Sequence, residues 1–450
     1  LTVLFCVAVP VSAQEPGPAL FSPDDAIEAS NDDPDIEALG RGPLHEAFVE
    51  QVNLDAEPSP IVAKKPPQPI NELPPEIKPD GAHVEWIPGY WAYDDEERND
   101  FIWVSGVWRK IPPGRRWVPG YWAEVEGGYR WVSGTWASAD VDEVEVFPQP
   151  PESLEQGPNT VADSEDDFWI PGCWVYQGDD YRWRPGYWSA GQANWIWVPE
   201  RYVWTPSGCL HVAGYWDYPV TTRGYAFAPY CFHRPIYQRP GYYFSPGVVL
   251  DVGHVFAHLF VRPRYHHYYF GDYYADTYYR HGYVPWHDYR RHHYCPLLTH
   301  YTWYHHRRGV NYVQQLHRWH EYNVKHADYR PHHSLAHVQK YQGRGGYDHA
   351  HGKDRLKDLA RDVRSQQLRL DADRHDGHYG RDIGVNVRDF SKRSDSKLTA
   401  VHIEAAQRKA LAQSRQREVR SLIDSRVAAG KASKLQPGDH AHAKLKLPAV

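Results

Sequence analysis

The pattern W-x-x-G-x-W recurs along this chain at a spacing of fourteen residues, and it limits the possible folds more than any other feature. It stands at Trp86-Ile-Pro-Gly89-Tyr-Trp91, Trp103-Val-Ser-Gly106-Val-Trp108, Trp117-Val-Pro-Gly120-Tyr-Trp122 and Trp131-Val-Ser-Gly134-Thr-Trp136. It returns at Trp169-Ile-Pro-Gly172-Cys-Trp174 and Trp183-Arg-Pro-Gly186-Tyr-Trp188, and two degenerate copies follow, Trp197-Val-Pro-Glu200-Arg-Tyr202 and His211-Val-Ala-Gly214-Tyr-Trp216. The one longer step within a block, seventeen residues between the first two copies, is filled by the acidic loop Asp94 to Asp100. A fixed period carried by residues so unlikely to recur by chance means tandem supersecondary units rather than one irregular core. Such a build points to scaffolding or binding before it points to catalysis.

Within a copy, Tyr129-Arg-Trp-Val132 alternates in the manner of a strand, Ser133-Gly134 turns, and Thr135-Trp136-Ala137 returns. This reading places the turn at the two central residues. The two tryptophans of one copy, such as Trp131 and Trp136, then face each other on adjacent strands, and the glycine supplies a φ > 0 conformation. Aromatic cross-strand pairs contribute roughly 0.2–1 kcal/mol each and an isolated hairpin is marginal, so the hairpins are expected to stack in fours. L-Pro followed by Gly favours a type II turn, whose twist suits a two-residue hairpin poorly, so those copies call for a wider turn or a bulge. The expected fold class is mainly β, with tandem antiparallel β-hairpin repeats in two blocks, then a Tyr/His-rich mixed region and C-terminal α-helices.

Composition divides the rest. Residues 1–13 read as the apolar core of a secretory signal peptide ending in Val11-Ser12-Ala13, with a truncated start, since the basic segment and initiator methionine are missing. Residues 14–82 are an acidic, Pro-rich extended lead-in whose Asp-Asp and Pro-Pro steps discourage a packed core. Repeat block 1 spans 83–138, an acidic Pro-containing linker 139–166, and repeat block 2 spans 167–218. A Tyr/His-rich region covers 219–351, and a charged helical region with a flexible tail covers 352–450. Helices are predicted over Gly309–Asn323, around Leu356 to Val363, and over Leu398–Ala429. A coiled coil in the last is disfavoured by Arg408 and Arg415 at two would-be core positions.

The repeats resemble those of the bacterial secreted WXXGXW (YXWGXW) repeat proteins. Similar flanking blocks are Arg41-Gly-Pro-Leu-His-Glu-Ala-Phe48, Pro66-Pro-Gln-Pro-Ile-Asn-Glu-Leu-Pro-Pro75 and Tyr268-Tyr-Phe-Gly-Asp-Tyr-Tyr274. The resemblance covers roughly residues 41 to 300. It implies an exported protein and carries no catalytic residues with it. Glu200 and His211 depart from it, at a glycine and a tryptophan position.

Tyrosine (33) and tryptophan (19) far exceed phenylalanine (13), so the apolar surface is carried by side chains with polar tips, suited to thin cores and binding faces alike. The net charge of −7 is split between an acidic N-terminal part and a basic, His-rich stretch from His233 to Arg426, so no uniform field for a polyanion follows and no nucleic acid is expected. No apolar run after the signal approaches the ~20 residues of a membrane helix. Four cysteines remain after signal removal, and Cys173 with Cys209 is the expected disulfide, against free or metal-binding thiols.

Two binding chemistries follow. The aromatic set Trp86, Trp91, Trp103, Trp108, Trp117, Tyr121, Trp122, Trp131, Trp136, Trp169, Trp174, Trp183, Tyr187 and Trp188 offers flat faces for sugar rings, against the blander reading that these side chains fill a thin β core. The tyrosines at 121 and 187 are expected on the opposite, exposed side. The second is the histidine tract, where His305, His306, His317 and His320 are candidate ligands for a weakly bound divalent metal, His317 and His320 sharing a helical face at i, i+3. G-x-S-x-G, Walker and dinucleotide motifs are missing, and Asp94 to Glu97 reads as a solvated acidic turn. The chain is therefore expected to be a non-enzymatic, secreted or envelope-associated scaffold or binding module with no cofactor. Its partners would be cell-envelope polysaccharide or another envelope protein. The alternative is a periplasmic metal-binding protein acting through its histidines.

Export carries its own test. N-terminal sequencing of the protein from envelope fractions should read from Gln14; a cytoplasmic chain retaining residues 1–13 would refute the signal peptide.

Overall fold

The computed structural model describes residues 27–28, 33–141, 143–289, 294–340, 383–393, 397–432 and 443–446. The signal peptide with its cleavage site and the helix expected around Leu356 to Val363 lie outside them.

Two consecutive motifs make one hairpin. In the first, Val84–Ile87 pairs antiparallel with Val107–Lys110 at the base, and Tyr90–Asp94 pairs with Asp100–Val104 at the tip. The second repeats this with Arg115–Val118 against Thr135–Ser138 and Tyr121–Val125 against Gly128–Val132. The third uses Asp167–Ile170 with Tyr187–Ala190 and Cys173–Gln177 with Asp180–Arg184. The fourth uses Ile196–Val198 with Tyr215–Asp217 and Arg201–Thr205 with Gly208–Val212. Base and tip are separate ladders, divided at the motif centre, which reads x-x-G in every arm but the one that carries Glu200.

The hairpin expectation thus holds, with one correction. The chain reverses between motifs and not inside them, so tryptophans pair across motifs: Trp86 with Trp108, Trp91 with Trp103, Trp117 with Trp136, Trp122 with Trp131, Trp169 with Trp188 and Trp174 with Trp183. Trp131 and Trp136 are therefore not partners. Ring centroids within these pairs lie 5.1–5.6 Å apart, mostly edge to face, the arrangement aromatic quadrupoles favour. Left-handed backbone sits at the reversals, at Asn99, Gly127, Gly128, Gly178, Asp179 and Gly208, where tight turns need it.

The motif glycines lie outside the left-handed region and are required for space. A Cβ on Gly134 would stand 2.4 Å from Trp117 Cζ2 and 2.8 Å from the Gly120 amide; one on Gly120 would stand 2.3 Å from Trp131 Cζ2. The two arms cross so closely at the corner that the indole of the facing arm fills the place of a side chain.

The segment read as a lead-in with no packed core is instead woven through the core. Leu44, Ala47, Phe48, Val49, Val52, Ile70 and Leu73 are all 2% exposed or less. Likewise the expected linker contains the strand Glu143–Phe147, which pairs with the fourth hairpin and with Ala443–Lys446. Beyond the repeats, Leu259–Arg262 and His267–Phe270 form a sheet with Gly42–Pro43 and Val284–Pro285. Helices follow at Pro296–His306 and Tyr312–Lys325, the latter matching the helix expected from Gly309.

The C-terminal helix, Ala405–Ala432, lies along the first two hairpins. Residues 400–402 before it are a strand paired with Ile77–Pro79 rather than helix. Its inward arginines explain the poor coiled-coil pattern: buried Arg408 donates to the Pro74 carbonyl at 2.7 Å, and buried Arg426 donates to the carbonyls of Pro119 and Ser133 at the corner of the second hairpin.

Gly134→Ala is expected to cost roughly 1–3 kcal/mol or more by overpacking and to weaken the tryptophan exciton band in circular dichroism by separating Trp117 from Trp136. Gly114→Ala, in a left-handed turn with nothing within 4 Å, should leave that band intact. Equal loss of the band in both variants would refute the steric account.

Candidate functional site

A carboxylate bridges one W-x-x-G in each of the first three hairpins, buried in the first two and half-buried in the third. Glu72 accepts from Trp103 Nε1 at 3.0 Å and from the Gly106 amide at 3.1 Å, and also from the Gly89 amide at 2.8 Å. Glu46 accepts from Trp131 Nε1 at 2.8 Å and from the Gly134 amide at 2.9 Å. Glu155 accepts from Trp169 Nε1 at 2.9 Å and from the Gly172 amide. The corner removes these amides from the strand ladders, and an indole N–H has no ladder to join. Left unpaired, each buried donor would cost about 1–3 kcal/mol.

None of these three glutamates belongs to a repeat. They lie in the segments read as acidic lead-in and linker, and nothing periodic marks them. The usable signal is local: in Leu44-His-Glu46-Ala-Phe48 and Asn71-Glu72-Leu73 an acid sits directly among apolar residues. Burial pushes the Glu46 carboxyl up to about 8 against the pull of its Trp131, Gly134 and Ser133 bonds, and the Glu72 carboxyl up to about 7 against Trp103, Gly89 and Gly106.

Most of the aromatic set is core. Trp86, Trp91, Trp103, Trp108, Trp131, Trp136 and Trp169 are buried, and Trp117 and Trp122 are half-buried. Tyr121, expected on the exposed side, is 5% exposed and lies under the Arg426 guanidinium, 4.8 Å from its ring centre. The third hairpin differs. Tyr187 is 49% exposed, as expected, and Trp174, Trp183 and Trp188 are half-buried. Trp174 and Trp188 donate to the carbonyls of the exposed residues Glu152 and Thr160.

The four histidines do not converge as one set. His305 stacks on Tyr312, centroids 4.7 Å apart and nearly coplanar, and His306 is exposed at the end of its helix. His317 and His320 instead meet His287, their rings 5.7 and 5.5 Å from it. Among the described residues, the group of three close ligand atoms is His287, Asp288 and His317, within 4.8 Å of one another. His287 lies about 30 residues upstream in sequence, beyond the reach of helical periodicity.

Cys173 and Cys209 are buried free thiols, as are Cys231 and Cys295, so the expected disulfide is not formed. Cys173 stands across the strand from Arg184, whereas Cys209 stands across from Trp204 and packs with Phe147 and Tyr202, on a different hairpin. Burial raises both thiols to about 12, away from thiolate reactivity. The Asp94–Glu97 turn is likewise not merely solvated. Asp95 holds the buried Arg262 guanidinium at 2.7 and 3.0 Å, and Glu97 pairs with buried Arg41.

Against known proteins, the WXXGXW repeat family model, which describes two copies of the motif, matches at residues 86–109, 114–137, 168–189 and 193–217. Each match covers one two-motif hairpin as found in the structure, so the repeat region is a set of WXXGXW repeats in four double units. No curated protein and no solved structure is significantly similar to the chain.

Glu72 supplies a pH test. A carboxyl whose pKa rises on folding from 4.5 to about 7 binds its proton more tightly in the folded chain, so its contribution is complete below pH 4.5 and is lost as pH rises through 7. The thermal midpoint should therefore fall more across that window in the wild type than in Glu72→Gln, while Glu72→Ala should cost on the order of 3 kcal/mol by orphaning three donors. Parallel pH profiles for wild type and Glu72→Gln would overturn the assignment.

Proposed function

We propose that this protein is a non-enzymatic, secreted or envelope-associated scaffold whose third hairpin is a binding face for envelope polysaccharide. The observation that carries the reading is the unequal burial of one repeated motif. The first two hairpins bury six of their eight tryptophans, whereas in the third Tyr187 is exposed and Trp174, Trp183 and Trp188 are only half-buried, on a frame built the same way. Indole and phenol faces stack on the apolar faces of sugar rings, and rigid aromatic side chains do so at small entropic cost.

Two further observations support it. The cavity bounded by Glu50, Gln51, Trp131, Arg201, Tyr202 and His266 has room for about 30 Å³, a volume suited to a water molecule and not to a substrate. Envelope placement draws on the N-terminal apolar run and Ala13. Among the described residues no helix is long and apolar enough to cross a membrane.

The full-length mature chain should be retained by insoluble peptidoglycan or cellulose, and retention should survive chelator and moderate salt, since stacking is neither metal-dependent nor ionic. Combined Tyr187→Ala and Trp188→Ala should weaken retention about fivefold, the ratio for a loss of about 1 kcal/mol. Tyr279→Ala, which removes an exposed aromatic outside the repeats, should leave it unchanged. Absence of retention, or equal loss in both variants, would refute the reading.

A further inference from the structure

We infer that His287, Asp288 and His317 form a binding site for a single divalent transition-metal ion, with His320 beside it. The site is independent of the polysaccharide reading and lies outside the repeats. His287 and Asp288 come from the short helix Trp286–Tyr289, and His317 and His320 from one face of Tyr312–Lys325. The ligand atoms of His287, Asp288 and His317 lie within 4.8 Å of one another. Bound zinc at ~2.0–2.1 Å from tetrahedral ligands would separate the donor atoms by roughly 3.4 Å. Side-chain rotation at the two more exposed ligands is enough to close that difference.

The distribution of exposure suits an ion site. His287 is buried, with 3% of its side chain exposed, and forms a fixed wall; Asp288 and His317 are 35% and 49% exposed, which leaves an entry path. Two imidazoles and one carboxylate are a donor set for zinc, cobalt or nickel, and a three-residue set leaves one position for water or a fourth ligand. His320 is placed for that role, its ring 5.5 Å from that of His287. Glu321 brings a further carboxylate to 3.4 Å from His317 Nε2, the kind of neighbour that orients a metal-bound imidazole. One ion would thereby tie two helices together.

The chain has 28 histidines, so total metal uptake is uninformative and the tight equivalent is what must be followed. Full-length mature protein would be titrated with Co²⁺ and Zn²⁺, reading the visible d–d bands of low-coordinate cobalt and the thermal midpoint with zinc. The expected result is one tight equivalent with intense d–d absorption and a raised midpoint. Affinity should drop at least about tenfold in His317→Ala and in Asp288→Asn, both changes at accessible side chains. The double variant His305→Ala with His306→Ala should bind as the wild type does. Unaltered binding in His317→Ala, loss that follows His305 and His306 instead, or cobalt spectra of a fully hydrated ion would each overturn the site.

Discussion

The interaction on which this fold depends is a carboxylate shared between an indole N–H and a glycine amide of the same W-x-x-G. Splitting a hairpin into two ladders at a glycine corner lets cross-strand tryptophans pack at two levels, but it strands backbone and indole donors in an apolar interior. Water cannot reach them, and the ladders have passed them by. Glu46, Glu72 and Glu155 accept from these donors, and all three come from outside the hairpins they serve. The hairpins are thus not self-sufficient modules. The segments before and between them are structural parts of the corners, which is why Leu44 to Val49, Ile70 and Leu73 are buried within an acidic, Pro-rich stretch.

What covers a hairpin, rather than the motif itself, decides whether its aromatics are core or surface. The second hairpin is covered by the C-terminal helix, with Ile423 and Val427 packed on Tyr121, Ala123 and Val132, and Arg426 over the Tyr121 ring. The first is tied at its base through Arg109, which shares buried Asp217 with Arg223 at 2.5 and 2.9 Å. Removing Asp217 from this set would be costly, because it takes the shared carboxylate from two buried guanidinium groups. The third hairpin has a clamp from Glu155 yet keeps Tyr187 at the surface. The same local grammar therefore yields interior in one place and a potential contact face in another.

The repeat, the hairpins and the facing tryptophans were legible from the sequence; which tryptophans face each other was misread. Alternation and a fourteen-residue period fit two registers equally, one reversing at x-x-G and one reversing between motifs. The chain itself argues against the first. The extra residues of the seventeen-residue step fall between motifs, where a turn tolerates length, and Gly127-Gly128, Gly178-Asp179 and Ser207-Gly208 put turn chemistry at the equivalent places. The clamping glutamates were not legible, because a carboxylate 85 residues from its indole, as Glu46 is from Trp131, leaves no pattern. The histidines divide the same way: His317 and His320 followed from helical spacing, whereas His287 depends on how two helices pack.

The fourth hairpin shows that the corner chemistry, more than the letters of the motif, is what the fold requires. Glu200 stands at a glycine position and His211 at a tryptophan position, equivalent to Gly89 and Trp103 of the first hairpin. In the first hairpin the Trp103 indole donates to a carboxylate imported from residue 72; in the fourth, His211 Nε2 lies 3.2 Å from the carboxylate of Glu200 itself. His211 also takes the cross-strand place opposite Tyr202, with ring centroids 5.2 Å apart, as Trp103 does opposite Trp91. The two departures thus sit in contact and together supply a ring nitrogen and a carboxylate from within the unit. The remaining glycine, Gly214, is still held to the steric rule, since a Cβ there would meet Trp197 Cζ2 at 2.5 Å. Space is thus demanded on the second arm of this corner, where Gly214 is kept, while the first arm accepts Glu200, which supplies the carboxylate from within the unit.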